Sequence, residues 1–246
     1  MKDNKPTVSK EKHKKRLLRS VRIPLADITY EQTPLKTLKS KESQSTSKEP
    51  LLKLRPKMIE WFVDICKFFE LSPHCLMLAV NILDEVLTNS EATQNEFHLL
   101  GTAAMFLASK YQESTPISIE SLLSIVLKNK FSRTEVLNAE RLILVKVKFK
   151  LYKVSALHFI DTYCQEFNFS EDTRLKSVSA SVISTYFSES LNYKPSEIAL
   201  ASLAFSGENL GKVEPSALSF VKYAVDNFHT HFPSFFRVKK YLENPK

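Results

Sequence analysis

The sequence has only three glycines among 246 residues, Gly101, Gly207 and Gly211. Sheet-rich and nucleotide-binding folds use glycine at tight turns and phosphate loops, so this scarcity predicts an all-helical protein. The three cysteines are widely spaced and form no CxxC pair, which favours buried thiols over a disulfide framework or a zinc site. No P-loop, GxSxG or HExxH motif occurs either. We therefore expect a protein that is not an enzyme and that has no metal or cofactor.

Long apolar runs are also missing. No stretch approaches the ~18 apolar residues of a membrane span, and the lysine-rich start lacks the apolar core of a signal peptide, so we expect a soluble intracellular protein. The net charge is +8, but residues 1–50 contain 13 Lys or Arg against 6 Asp or Glu. Nearly all of the excess therefore belongs to this segment. The remaining chain is not predicted to bind nucleic acid or a membrane directly.

The chain divides into three parts by composition. Residues 1–50 are rich in Lys, Ser, Thr and Glu without an apolar period, so we predict a disordered basic regulatory tail. Residues 51–152 show five helical patterns, and residues 153–246 show five more after a linker at 148–155. Tandem five-helix units, the second divergent, are the predicted architecture.

Start and stop signals give these helices approximate bounds. The first helix is predicted to begin at Pro56, which suits a first turn, and to end near Leu71. Ser72-Pro73, Ser118 and Ser132 are predicted N-caps, the last with Glu135 in a capping box. The helices of the second half are predicted at 155–167, 171–189, 194–210, 214–228 and 232–243.

Two segments carry a recognisable pattern: residues 54–64 are LRPKMIEWFVD and residues 99–113 are LLGTAAMFLASKYQE. The first resembles the opening of the cyclin box, and the second resembles the LVGTAAMLLASKYEE segment of A- and B-type cyclins. Leu71-Ser72-Pro73, residues 78–81 and 140–144, and Phe149 continue the agreement. The resemblance covers residues 54–160 and fades beyond them. It implies two cyclin-like bundles, an N-terminal cyclin box at 51–152 and a cyclin-like domain at 153–246.

The resemblance also implies a function. A mitotic-type cyclin is a regulatory subunit that binds a cyclin-dependent serine/threonine kinase as a heterodimer and moves its helix C and activation loop into the active arrangement. The resemblance therefore implies a role in G2/M control of the cell cycle. A Lys ending the third helix and a Glu in the fifth hold the kinase-facing surface of the family. The positions that match this surface are Lys110, Glu140, Leu107, Tyr111, Leu144 and Phe149. An ordinary ion pair joining two helices is the alternative interpretation of Lys110 and Glu140, and core packing is the alternative for Tyr111, Leu144 and Phe149.

A second surface follows from the same resemblance. The family's patch for RxL-type substrate motifs matches Leu54, Met58, Trp61, Asp64 and His98. Met58 and Trp61 share a helical face with Leu54 one turn upstream, which is compatible with a shallow apolar groove. The sequence departs from the family at Pro56-Lys57, where Ala-Ile is usual, and at His98, where Gln is usual. Packing of Trp61 and Met58 into the core is the alternative interpretation.

The tail carries two short motifs. Arg22, Leu25 and Asp27, followed by Ile28, resemble the RxxLxDI destruction box of mitotic cyclins, which implies capture by a ubiquitin ligase. The basic cluster at residues 12–16 matches an import signal or a solvated charge run, and we expect the protein in nucleus and cytoplasm.

Two other functions stay open. The chain could be a pseudo-cyclin that keeps the fold without activating a kinase. It could also be a helical scaffold like transcription factor IIB, although that family normally brings an N-terminal zinc ribbon and no CxxC occurs here.

Overall fold

A computed structural model describes residues 48–242 apart from 89–93, 128–129, 209, 212 and 233–234. Within these residues the regular structure is helical and includes no strand, which confirms the predicted fold class. None of these helices combines the length and hydropathy needed to cross a bilayer.

The first group of helices surrounds α3. Its members are α1 (Lys48–Phe69), α2 (Pro73–Thr88), α3 (Gln94–Gln112), α4 (Ile119–Ser121, continued by the π-helical turn Leu122–Val126) and α5 (Arg133–Lys146). α3 packs against α1, α2 and α5. α3 lies close to α1 at Gly101, where an added Cβ would lie 2.5 Å from Sδ of Met58. A larger residue at position 101 therefore requires the Met58 side chain to move.

Three predicted caps are confirmed. The hydroxyl of Ser72 accepts from the amide of Cys75 at the start of α2, and Ser118 accepts from Ser121. Ser132 and Glu135 form the predicted reciprocal capping box. These caps satisfy amides that the first helical turn leaves unpaired, so local chemistry decides where these helices begin.

The predicted start of α1 is wrong. The helix begins at Lys48 and contains Pro56 in its interior instead of in its first turn. A helix tolerates an internal proline when neighbouring residues favour helix and packing offsets the lost amide bond. α1 ends where predicted, at Glu70 in the left-handed conformation (φ 58°), with the amide of Leu71 donating to the carbonyl of Cys66.

The second group surrounds α8. Its helices are α6 (Ala156–Glu166), α7 (Glu171–Ser184), α8 (Pro195–Phe205), α9 (Pro215–His231) and α10 (Phe235–Leu242), with a 3₁₀ turn at Ser188–Asn192. α8 packs against α6, α7 and α9, so the third helix is central in both groups. α10 packs on α7 and also on α1 of the first group.

The helix predicted at 171–189 ends early, at Ser184. The amides of Thr185, Tyr186 and Phe187 donate to carbonyls three residues back, which tightens the last turn. The carbonyl of Thr185 instead accepts from Nη1 of Arg55 on α1. This bond joins the two groups of helices at the end of α7.

Candidate functional site

A lysine and a glutamate meet where the end of α3 crosses the middle of α5. Nζ of Lys110 forms an ion pair with Oε1 of Glu140. The side chain of Glu140 is only 10% exposed, whereas that of Lys110 is 37% exposed. The ammonium also lies 4.3 Å from the centroid of the Phe106 ring. A buried carboxylate needs a cationic partner, so the ion pair holds both side chains in place, with the ammonium on the solvent side.

Apolar side chains stand exposed around this pair. Tyr111 is 49% exposed at the end of α3, and Leu137 on α5 is 39% exposed. Leu137, Glu140 and the half-buried Leu144 share one face of α5 by their three- and four-residue spacing. Val145, one residue further, is 60% exposed. The face beside the ion pair is therefore rich in apolar groups in contact with water.

The chain that leaves α5 turns a phenylalanine outward. Lys148 and Phe149 both adopt the left-handed conformation, with φ values of 53° and 59°. Residues with a Cβ rarely occupy this region except where a helix ends, and Glu70 adopts it in the same way at the end of α1. The turn is held by the amide of Phe149, which donates to the carbonyl of Leu144 at 2.8 Å. As a result the ring of Phe149 is 70% exposed.

The six residues predicted to meet a kinase therefore occupy four kinds of environment. Lys110 and Glu140 are brought together, and Tyr111 and Phe149 are exposed. Leu144 is half-buried, and Leu107 is only 5% exposed and belongs to the core. Leu137, Val145 and Tyr152 are also exposed, and the sequence analysis did not assign them to this surface. For Leu137 and Val145 the signal was present, because α5 carries more apolar residues than one buried face can use.

A cavity of about 270 Å³ opens beside Tyr111 between the two helix groups. It is lined by His74, Leu78, Tyr111, Gln112, Tyr152, Lys153, Ser155 and His158. Below it, Nε2 of His74 and Nε of Arg174 each contact a carboxylate oxygen of Asp161 at 2.7 Å. Burial alone would raise the pKa of Asp161, but these two hydrogen bonds hold it below its usual value. The network ties α2 to α6 and α7.

The residues predicted to receive substrate motifs lie together but mostly beneath the surface. Met58, Trp61 and His98 are 2%, 6% and 4% exposed, and Leu54 is half-buried. The rings of Trp61 and His98 lie 5.1 Å apart. Within the described part of the chain, Nε1 of Trp61 and Nδ1 of His98 are buried without a hydrogen-bond partner. Burial lowers the pKa of His98 to about 4, with a smaller contribution from Lys130.

Asp64 at the end of this patch already has a partner. Its side chain is 7% exposed, and Oδ2 accepts from Nη1 of Arg237 on α10 at 2.7 Å. Burial raises the pKa of Asp64 to about 6 in spite of the opposing effect of Arg237.

The structure describes the predicted buried cysteines but not the two motifs of the tail. Arg22, Leu25, Asp27 and the basic cluster at 12–16 lie outside the described residues. Cys66, Cys75 and Cys164 are buried thiols, as predicted. No set of three or more His, Cys, Asp or Glu side chains in the described ranges is arranged to hold a metal ion.

More than half of the chain matches one known protein family. Residues 27–152 match the family described as "Cyclin, N-terminal domain". The G2/mitotic-specific cyclin-A of Patella vulgata is 30% identical over 81% of this chain and 49% of its own length. The G2/mitotic-specific cyclin cdc13 of Schizosaccharomyces pombe is 29% identical over 72% of this chain and 37% of its own length. The chain thus spans about half the length, or less, of these relatives.

A solved structure shares the fold. The X-ray structure of a viral cyclin from herpesvirus saimiri superposes with a TM-score of 0.59 and 19% sequence identity. The match covers 83% of this chain and 93% of the viral chain, so the similarity includes both helix groups.

Proposed function

Because the chain belongs to the cyclin family, we propose that it binds a cyclin-dependent serine/threonine kinase and activates it in G2/M control of the cell cycle. The names of the relatives, which are G2/mitotic-specific cyclins, support this assignment. The chain supplies no reacting group in this proposal. It stabilises the active arrangement of the kinase helix C and activation loop, and so shifts a two-state equilibrium in its partner.

The observation that carries the proposal is the buried ion pair with exposed apolar groups beside it. Lys110 and Glu140 offer a fixed charge pattern, and Tyr111 and Phe149 offer aromatic area in contact with water. Aromatic anchors near a desolvated charge pair are typical of the centre of a protein interface. The left-handed turn at Lys148 and Phe149, which is closed by the bond from the Phe149 amide to the Leu144 carbonyl, leaves the ring in solvent, where a partner can reach it.

Phe149→Ala is expected to weaken kinase binding at least about tenfold, because truncation of an interface aromatic commonly costs more than 1.4 kcal/mol. The matched control is Phe167→Ala, which removes a 49% exposed ring from the second helix group. Binding is measured by surface plasmon resonance with purified cyclin-dependent kinases, and activation by phosphate transfer to a peptide. Phe149→Ala is not expected to change the thermal midpoint, because the Phe149 ring is 70% exposed.

Charge reversal tests the ion pair in the same assay. Lys110→Glu places two carboxylates side by side and is expected to remove binding, whereas Lys176→Glu, on an exposed pair of α7, is not. If wild type neither retains nor activates any kinase, the proposal is wrong and the pseudo-cyclin alternative is favoured. Equal losses in Phe149→Ala and Phe167→Ala would contradict the assigned surface.

We also propose that Leu54, Met58, Trp61, Asp64 and His98 receive RxL-type substrate motifs. The unpaired polar atoms of Trp61 and His98 support this role, since a peptide backbone would supply the missing hydrogen-bond partners. Their burial means that docking requires local side-chain movement.

For the tail we propose timed destruction through Arg22, Leu25 and Asp27, by a ubiquitin ligase. The double variant Arg22→Ala with Leu25→Ala is expected to lengthen the half-life several-fold in mitotic cell extract, followed by immunoblot. The double variant Leu18→Ala with Arg19→Ala is the control from the same tail. Unchanged turnover in the first variant would remove the destruction-box interpretation. The basic cluster at 12–16 supports a nuclear as well as a cytoplasmic pool.

A further inference from the structure

α10 reaches out of the second helix group and is anchored on the first. Val238, Tyr241 and Leu242 are at most 4% exposed, and the hydroxyl of Tyr241 donates to the carbonyl of Leu71 at 3.1 Å. Burial of three large side chains fixes the helix whether or not its charged residues are paired. The position of Arg237, on the same helix, is therefore set by apolar contacts.

Arg237 is held against two carboxylates of α1. Its Nη1 contacts Oδ2 of Asp64 at 2.7 Å, and its Nη2 lies 3.9 Å from Oε2 of Glu60. The Asp64 side chain is 7% exposed, whereas that of Arg237 is 36% exposed. The guanidinium thus covers the carboxylate from the solvent side.

Asp64 stands where the predicted docking patch ends. It follows Trp61 by three residues on α1, so the two side chains are neighbours on one helical face. Among the five patch residues, Asp64 is the one that carries a carboxylate. An arginine in a docked peptide would need this carboxylate for a charge-assisted hydrogen bond. In the structure that position is filled from within the chain.

We propose that Arg237 is an internal competitor for the docking patch, occupying its acidic end so that an arginine-bearing peptide binds only by displacing it. The inference rests on the proposed docking role of the patch and is independent of kinase binding. The competition is intramolecular, so the apparent affinity for peptide is reduced by the fraction of molecules in which Arg237 is in place. Burial raises the pKa of Asp64, so its carboxylate needs a cationic partner to stay ionised. Arg237 and the arginine of a docked peptide can each be that partner.

The test uses the full chain and a fluorescein-labelled twelve-residue peptide with a central Arg-x-Leu-Phe sequence, followed by fluorescence anisotropy. Arg237→Gln is expected to bind this peptide about tenfold more tightly than wild type. Arg237→Lys keeps a cation at the site and is expected to resemble wild type. Arg133→Gln, from an exposed pair on α5, is the matched control and is expected to show no change. A peptide with Ala in place of Arg is expected to bind wild type and Arg237→Gln with the same affinity.

Two results would overturn the inference. Equal or weaker binding by Arg237→Gln would show that Arg237 does not compete. Absence of peptide binding to every variant would remove both the docking role and the competition. Kinase retention by the same samples then decides separately whether the proposed regulatory function holds, since Arg237 lies outside the surface assigned to the kinase.

Discussion

Replacing Arg55 with methionine is expected to lower the free energy of unfolding by about 3–5 kcal/mol, the usual result of removing one partner from a buried ion pair. Nε and Nη2 of Arg55 hold the two carboxylate oxygens of Asp84 at 2.7 and 2.8 Å, and Nη1 donates to the carbonyl of Thr185. The arginine side chain is 2% exposed. Methionine occupies a similar path, so the loss comes mainly from a carboxylate and a carbonyl left without partners. Urea unfolding followed by circular dichroism measures it.

A double variant separates this cause from lost packing. Arg55→Met with Asp84→Leu removes the stranded carboxylate together with its partner, so we expect recovery of at least about 2 kcal/mol relative to Arg55→Met alone. Arg133→Met is the control, because Arg133 and Glu120 form a pair with side chains 61% and 69% exposed. Its unfolding midpoint is expected to stay unchanged. A loss in Arg55→Met no larger than in this control would contradict the structural role of the buried pair.

Local chemistry made the helix starts predictable. Ser132 and Glu135 define the start of α5 by themselves, because a capping box requires two side chains at a fixed spacing. The resemblance to cyclins predicted that Lys110 and Glu140 lie on one surface, and in the structure the two side chains form an ion pair. Pro56 misled the prediction, since the residue type that favours a first turn is also tolerated inside a helix that packing holds together.

What covers a helix face could not be predicted. The spacing of Met58 and Trp61 shows that they share a face, but periodicity does not say which element lies above it. Arg237 meets Asp64 across 173 residues of chain, and no local pattern specifies that contact. Leu107 belongs to a helix that is apolar nearly all round, so the sequence alone does not separate its buried side from an exposed one. Burial of a shared face depends on tertiary packing.

Two buried groups of the docking patch contribute to the pH dependence of stability with opposite signs, because burial favours the neutral form of each. Burial raises the pKa of Asp64 from 3.8 to about 6, so its contribution is present below pH 3.8 and is lost as the pH rises through 6. Burial lowers the pKa of His98 from 6.5 to about 4, so its contribution is present above pH 6.5 and is lost as the pH falls towards 4. Each shift corresponds to about 3 kcal/mol.

Single substitutions should expose the two opposed slopes. Relative to wild type, His98→Gln is expected to gain about 2 kcal/mol of unfolding free energy when the pH is lowered from 7 to 4.5, because the unfolded chain no longer takes up that proton. Asp64→Asn is expected to lose a similar amount over the same change. Urea titrations at both pH values measure the differences, and the remaining titrating groups cancel because every chain shares them. The prediction is wrong if the unfolding free energy changes by the same amount between pH 7 and 4.5 in wild type and in both variants. Burial would then not shift the pKa of Asp64 or of His98. If the slopes do separate, docking of a peptide at this patch should itself depend on pH, since Asp64 and His98 both belong to it.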